Sequence, residues 1–329
     1  MVMEWVRRPA IWRRMGFVAA AWLVLTAGLA AQTRVVLVGT GGPELTPERA
    51  GEATLVEANG QSLLFDAGRG VLDGLYRSGI APQQVTHVFL THLHSDHIEG
   101  LPGLWITPWF LLGRTARLEV WGPPGAQQMI DGMRAMFAHD LQQRPNAKAK
   151  RESLDISVHE IKPGLVYDQA GIRVSAITVE HADGNPAFAY RIDTGDSAIL
   201  LTGDCTYAGE LTRLTGRLDL VVSNVAAGTE AMENEAWMQP VLAKLMRPEQ
   251  AAKLFDETKP RLAVYSHIVK KGLPGNAGDR EIVRRTRMAG YKGPLLMGTD
   301  HVQIVLGKPV RIEPMAKPTA DFDMPGAKF

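Results

Sequence analysis

The sequence predicts an α/β fold in four αββα layers, two sheets packed face to face with helices outside. Two observations carry this. Apolar, β-branched runs at 85–90, 172–179, 198–201 and 261–265 each end in histidine or Gly-Asp, as buried strands that deliver polar residues to one edge would. Before, between and after them lie stretches that read as helices, at 70–77, 126–141, 237–258 and 280–288. At 329 residues, 45% apolar and 22% charged, the chain is an ordinary globular protein with room for a sizeable core.

The first 31 residues stand apart. Arg7, Arg8, Arg13 and Arg14 precede an uncharged run at 16–31 that ends in small residues, the layout of a secretory signal peptide cut after Ala30 or Ala31. The run is shorter than the roughly 20 residues of a membrane span, so a retained anchor is the alternative and no stable span is expected after cleavage. Without the leader's four Arg and one Glu, 32 basic residues face 34 acidic ones, a net charge of about −2. That balance lacks the bulk positive charge that draws nucleic acid. Cys205 is the sole cysteine, so no intramolecular disulfide forms. The expectation is a periplasmic or secreted protein with one domain over 32–313 and a flexible tail over 314–329.

In chain order, a strand at 34–38 runs into Gly39-Thr40-Gly41-Gly42-Pro43. This turn lacks both the Gly-Lys-Ser/Thr of a phosphate loop and the Rossmann spacing, and so reads as a tight turn near the site. Strands at 53–58 and 62–66 flank Asn59-Gly60, a hairpin signal. Trp105 and Trp109 share a face if 101–112 is helical, either as core or as an apolar wall beside a site. A strand at 118–121, a turn at 122–125, the helix at 126–141 and a polar connection at 142–152 follow, with His139 and His159 structural or solvated. Strands at 172–179, 187–192, 198–201, 218–222 and 261–265 carry the chain onward, 237–258 divides into two helices, and strands at 295–297 and 302–306 close the domain. Cys205 is either a soft ligand or a small buried residue, and His301 is left outside the site.

The densest chemistry is His92-Leu93-His94-Ser95-Asp96-His97, three of the nine histidines and a carboxylate within six positions. Imidazole and carboxylate suit Zn²⁺ and similar borderline metals, and a catalytic site needs about three protein ligands and an open position. His92 and His94 can reach one metal from an extended turn, and Asp96 and His97 a second beside it.

This hexapeptide, with Val36 to Pro43 before it and Leu101-Pro102-Gly103 after it, resembles the metallo-β-lactamase fold superfamily. The similarity is to the branch that holds ribonuclease Z, arylsulfatase-like and cyclic-nucleotide phosphodiesterase-like hydrolases. The resemblance implies the same αββα sandwich and two divalent metal ions, Zn²⁺ by default with Mn²⁺ or Fe²⁺ as alternatives. It implies that His92, His94 and His181 hold one metal, Asp96, His97 and His267 the other, and that Asp204 bridges. It also implies that Asp66 supports a metal-bound histidine, the plain alternative being a cap for the helix at 70–77. Paired cations would activate a bridging water as hydroxide, which Asp96 orients as the catalytic residue.

For substrate, the expectation is a small sulfate or phosphate ester, with a lactone or carboxylic ester as the alternative and a non-catalytic metal-binding protein as a third class. Nucleic acid is argued against on three grounds. His181 and Asp204 are only 23 positions apart, which leaves no room for the tRNA-gripping arm of ribonuclease Z. Ser223-Asn224 stands where that family has a His-Glu pair. An exported protein does not meet precursor tRNA. Self-association is left open.

Overall fold

Alternation along the strands sorts apolar residues onto two faces. In β1 (Arg34–Gly39), Val35 and Leu37 belong to one core and Val36 and Val38 to another. The computed structural model describes residues 32–144 and 151–313; the predicted leader and tail lie outside the described residues.

β1, β2 (Ala53–Ala58), β3 (Gln61–Phe65), β4 (His87–Phe89), β5 (Leu118–Gly122) and β6 (Ile156–Glu160) follow one another across a first sheet. A second sheet takes β7 (Gly164–Gln169), β8 (Ile172–Val179), β9 (Ala187–Asp193), β10 (Ala198–Leu201), β11 (Leu220–Gly228), β12 (Leu262–Lys271) and β13 (Leu295–Met297). The chain then returns to the first sheet with β14 (Gln303–Val305), paired to β1, and β15 (Arg311–Glu313). The orders are 15-14-1-2-3-4-5-6 and 13-12-11-10-9-8-7.

Three cores make four layers. Leu37, Phe65, Phe89, Tyr190, Leu201 and Val264, from both sheets, share the central one. Val88, Val120, Leu75 and Leu104 bind the first sheet to helices at Val71–Arg77, Leu101–Phe110 and Ala126–Gln143. Phe255, Tyr265 and Ile282 do the same for the second sheet with helices at Pro248–Thr258 and Gly275–Met288. This is the predicted αββα sandwich.

The hairpin signal takes its expected form: Asn59 (φ 50°) and Gly60 (φ 76°) are both left-handed, the two-residue turn that matches strand twist. Three strand expectations shift. The run at 85–90 is a strand only over His87–Phe89: the Leu90 N–H makes a last bond to the Trp121 carbonyl at 2.7 Å, and Thr91 turns to the second sheet, its carbonyl accepting the Phe188 N–H at 2.9 Å. The run at 218–222 continues to Gly228 through buried Ser223 and Asn224, whose polarity hid the continuation. β6, β7 and β15 went unread, since the exposure of the outer strands blurs their alternation.

Parallel strands put their carboxyl ends together, the usual place for a site in such sheets. The candidate residues come from there.

Candidate metal centre

The histidine loop is built by one carboxylate. Asp66, just past β3 with a left-handed φ of 60°, accepts the Thr91 backbone N–H at 2.8 Å on Oδ1. Its Oδ2 accepts Thr91 Oγ1 at 2.9 Å and His97 Nδ1 at 2.8 Å. A carboxylate only accepts, so His97 carries a proton on Nδ1 and turns Nε2 inward, the nitrogen left for a cation. The Thr91 hydroxyl has spent its proton on Asp66 and can only accept from His92 Nδ1 at 3.0 Å, which frees His92 Nε2 in the same way. No side chain caps the helix at Val71–Arg77, so Asp66 serves the loop rather than that helix.

Three remote residues complete the cluster, each with its own anchor. His181, past β8, donates from Nδ1 to the Lys244 carbonyl at 2.9 Å and points Nε2 at His94 Nδ1, 3.1 Å away. The turn after it passes so close that a Cβ on Gly184 would stand 2.0 Å from His181 Cδ2 and 2.9 Å from His94 Cε1. Asp204 follows the left-handed Gly203 (φ 55°). Buried Asn224 staples that turn, donating to the carbonyls of Gly203 at 2.8 Å and Cys205 at 3.2 Å while accepting the Met246 N–H at 2.8 Å. His267 is itself left-handed (φ 43°) at a register shift between β11 and β12. Buried Glu52 holds it there, accepting Ser266 Oγ at 2.5 Å and the His267 N–H at 2.9 Å on one oxygen.

The ligand-type atoms converge in three groups, each within 4.8 Å: His92, His94 and His181; His92, His97 and Asp204; and Asp96, His97 and His267. Six of these residues are buried and His94 is half-buried, which marks its side as the opening. His97 Nε2, Asp204 Oδ1 and His267 Nδ1 are buried without a hydrogen-bond partner, although His267 Nδ1 and Asp204 Oδ1 are only 3.2 Å apart. Orphaned buried polar atoms cost about 1–3 kcal/mol each unless something else satisfies them. Inward-facing ring nitrogens and carboxylate oxygens with no other partner are what a cation satisfies, so the residues fit a metal.

Electrostatics agree. Burial would raise the Asp204 carboxyl, but the charges of His267 and His97 hold it far below the carboxylate range. Burial and the neighbouring His97 push His92 well below its usual value, towards the neutral form that ligates. Asp96 is likewise opposed by burial, yet the His267 hydrogen bond at 3.1 Å and the charges of His97 and His267 keep it ionised. Three groups run the other way. Burial outweighs the Ser266 bond of Glu52 and raises it to about 7. Burial would lower His97 and His267, but Asp66 and Asp204 raise His97 well above its usual value and Asp204 and Asp96 raise His267, so each carries charge until a bound cation displaces its inward proton.

Residues 61–268 match the family described as the Beta-lactamase superfamily domain. The chain belongs to the metallo-β-lactamase superfamily. It is 31% identical over 251 residues to the ribonuclease Z of Mycobacterium sp. (strain KMS), an alignment covering 74% of this chain and 87% of the relative. Among solved structures, it is similar to the metallo-beta-lactamase fold protein YhfI from Bacillus subtilis (TM-score 0.63, 17% identity, 83% and 98% of the two chains). It is also similar to the short form of human tRNase Z (TM-score 0.63, 21% identity, 83% and 99%). The superfamily member thus sits in the ribonuclease Z branch, with a metal-dependent hydrolase fold that implies divalent metal binding.

The seven predicted ligand positions meet at one place. Of the two readings of the tryptophans, core packing holds and the wall does not: Trp105 and Trp109 are buried in the Leu101–Phe110 helix, and the Trp105 indole donates to the Leu154 carbonyl at 2.7 Å. Cys205 belongs to none of the ligand groups and is buried beside Asn224, where burial raises its thiol to about 12, so it is the small buried residue. Glu52, Gly184 and Asn224 were missed. Only Gly184, three positions after His181, carried a signal in the sequence. The expectation against nucleic acid is also overturned, because the curated relatives that match over most of the chain are ribonucleases Z.

Proposed function

We propose that this chain is a dinuclear-metal phosphodiesterase that cleaves RNA, with His92, His94 and His181 holding one ion, Asp96, His97 and His267 the other, and Asp204 between them. The observation that carries the reading is three overlapping ligand groups, with His92 and His97 each belonging to two of them and His97 Nε2 and Asp204 Oδ1 buried without a partner, in a chain related to ribonuclease Z. Two divalent ions, Zn²⁺ by the nitrogen-rich donor set, would supply Lewis-acid activation of water and of the phosphodiester.

The chain's own residues then have defined tasks. Asp96 stays a carboxylate beside His267 and can accept a proton from the attacking water at its Oδ atoms. Asp66, Asn224 and Glu52 hold the ligand-bearing turns so that no reorganisation is needed at the moment of reaction. Ser223 and Asn224 take no part in proton transfer: Ser223 Oγ donates to its neighbour's carbonyl at 2.9 Å, and Asn224 is used up on backbone groups. His181 and Asp204 are joined by the β9–β10 hairpin alone, so any grip on RNA must come from the surface around the centre.

The test compares metal-loaded protein on bis-p-nitrophenyl phosphate, p-nitrophenyl sulfate and a single-stranded RNA, with His94→Ala as the blank. Cleavage of the diester and the RNA, both lost in the blank, is expected. A preference for the sulfate, or turnover that survives His94→Ala, would sink the reading. Export belongs to the same proposal, and N-terminal sequencing of the mature chain should find a start at residue 31 or 32.

A further inference from the structure

β12 leads away from the centre to an exposed aromatic. From His267 it runs through buried Ile268 and Val269 to Lys270, Lys271 and the left-handed Gly272 (φ 68°). At a strand rise of about 3.3 Å per residue, Lys271 lies roughly 13 Å beyond His267. Lys271 is ion-paired with Glu44, and its Nζ stands 5.9 Å from the centre of the Trp237 ring. Trp237 is 52% exposed. Around the same turn, Met232 Sδ would be 3.0 Å from a Cβ on Gly272, and Leu45, 82% exposed, belongs to the loop across a cleft of about 660 Å³ that reaches back to Ile268.

Single exposed hydrophobic residues are ordinary. Two features set Trp237 apart. Its neighbour Met238 is fully buried with Leu242, Leu245 and Val269, and the Met238 N–H bonds the Glu235 carbonyl at 3.0 Å, so the ring is held out by a pegged loop. The Lys271 ammonium also stands within cation–π range of the ring, held there by Glu44, and an aromatic with a cation beside it is the pairing that receives a nucleobase and its phosphate.

We propose that Trp237, backed by Lys271, is a stacking platform for a base of single-stranded RNA, a nucleotide or two from the scissile phosphodiester. The proposal rests on the phosphodiesterase reading above. It supplies the surface grip that the short β9–β10 connection leaves to be found.

The experiment measures kinetics on a labelled single-stranded RNA hexamer and on methyl p-nitrophenyl phosphate, which has no base and serves as the reference for folding and metal loading. Trp237→Ala should raise KM for the hexamer about tenfold relative to the reference rate, with kcat little changed, and Trp237→Phe should recover most of the loss. An unchanged KM, or an equal loss on both substrates, overturns the platform. If the unmodified protein cleaves neither substrate, the phosphodiesterase reading is what fails. The platform is then judged by hexamer binding to the His94→Ala protein, followed by fluorescence anisotropy with and without Trp237→Ala. A tenfold weaker Kd supports it, and an equal Kd overturns it.

Discussion

The loop at 92–97 and the trio His181, Asp204 and His267 meet in one cluster but reach it differently. The loop delivers four ligand-type side chains from one strand end and is tied down by a single carboxylate, Asp66. The trio comes from three separate strands of the other sheet, and each member needs its own device: the Lys244 carbonyl and a bare Gly184 for His181, Asn224 for Asp204, and Glu52 for His267. A local motif shares its support, whereas a distributed one requires separate support at every point of arrival.

Breaking the junction of the two halves should have the largest effect. Asp204→Ala removes Oδ1, 3.2 Å from His267 Nδ1, and Oδ2, 3.6 Å from His97 Nε2, and phosphodiesterase activity should fall about 10³-fold, about 4 kcal/mol in the barrier. Circular dichroism should remain native, and activity within tenfold of the parent would refute the shared role. Next is Gly184→Ala, whose methyl overlaps His181. A displacement on the order of 1 Å should lower kcat about 10²-fold with little change in Tm, and a full-rate variant would show that the contact is not needed.

On the loop side, Asp66→Asn keeps the shape but offers His97 a weaker acceptor. Metal affinity measured by competition with a chelator should drop about 10- to 100-fold. Equal affinity would mean that the loop organises itself without the carboxylate.

The smallest effect on turnover belongs to Glu52→Gln, since the amide oxygen can still accept from Ser266 and His267. Its signature is pH dependence in the metal-free protein. The folded Glu52 titrates at about 7 against an ordinary 4.5, so the folded chain holds that proton more tightly. The resulting stabilisation is complete below about pH 4.5 and is lost as pH rises through 7. Chelator-treated protein should therefore melt at lower temperature at pH 8 than at pH 5, and Glu52→Gln should flatten that slope. Parallel slopes would remove Glu52 from the account.

Legibility follows the same division. His92 to His97 could be read because all their spacing lies within one turn of chain. Asp66, His181, Asp204 and His267 became readable only through resemblance, since an isolated histidine or aspartate after a strand says little alone. Asn224 looked like a missing proton donor and is instead the clasp of the Asp204 turn. Trp105 and Trp109 read first as core and second as a wall of the site, and the placement of their helix outside the first sheet assigned them to the interior.

Strand alternation, the Asn59-Gly60 turn and the histidine hexapeptide are set by interactions between near neighbours, so the sequence by itself determined the αββα layers and half of the centre. Which distant residues complete it, which carboxyl is buried behind His267 and which tryptophan faces solvent were decided only in the tertiary structure. Those outcomes depend on desolvation and on contacts between residues up to some two hundred positions apart, such as Glu52 and Ser266.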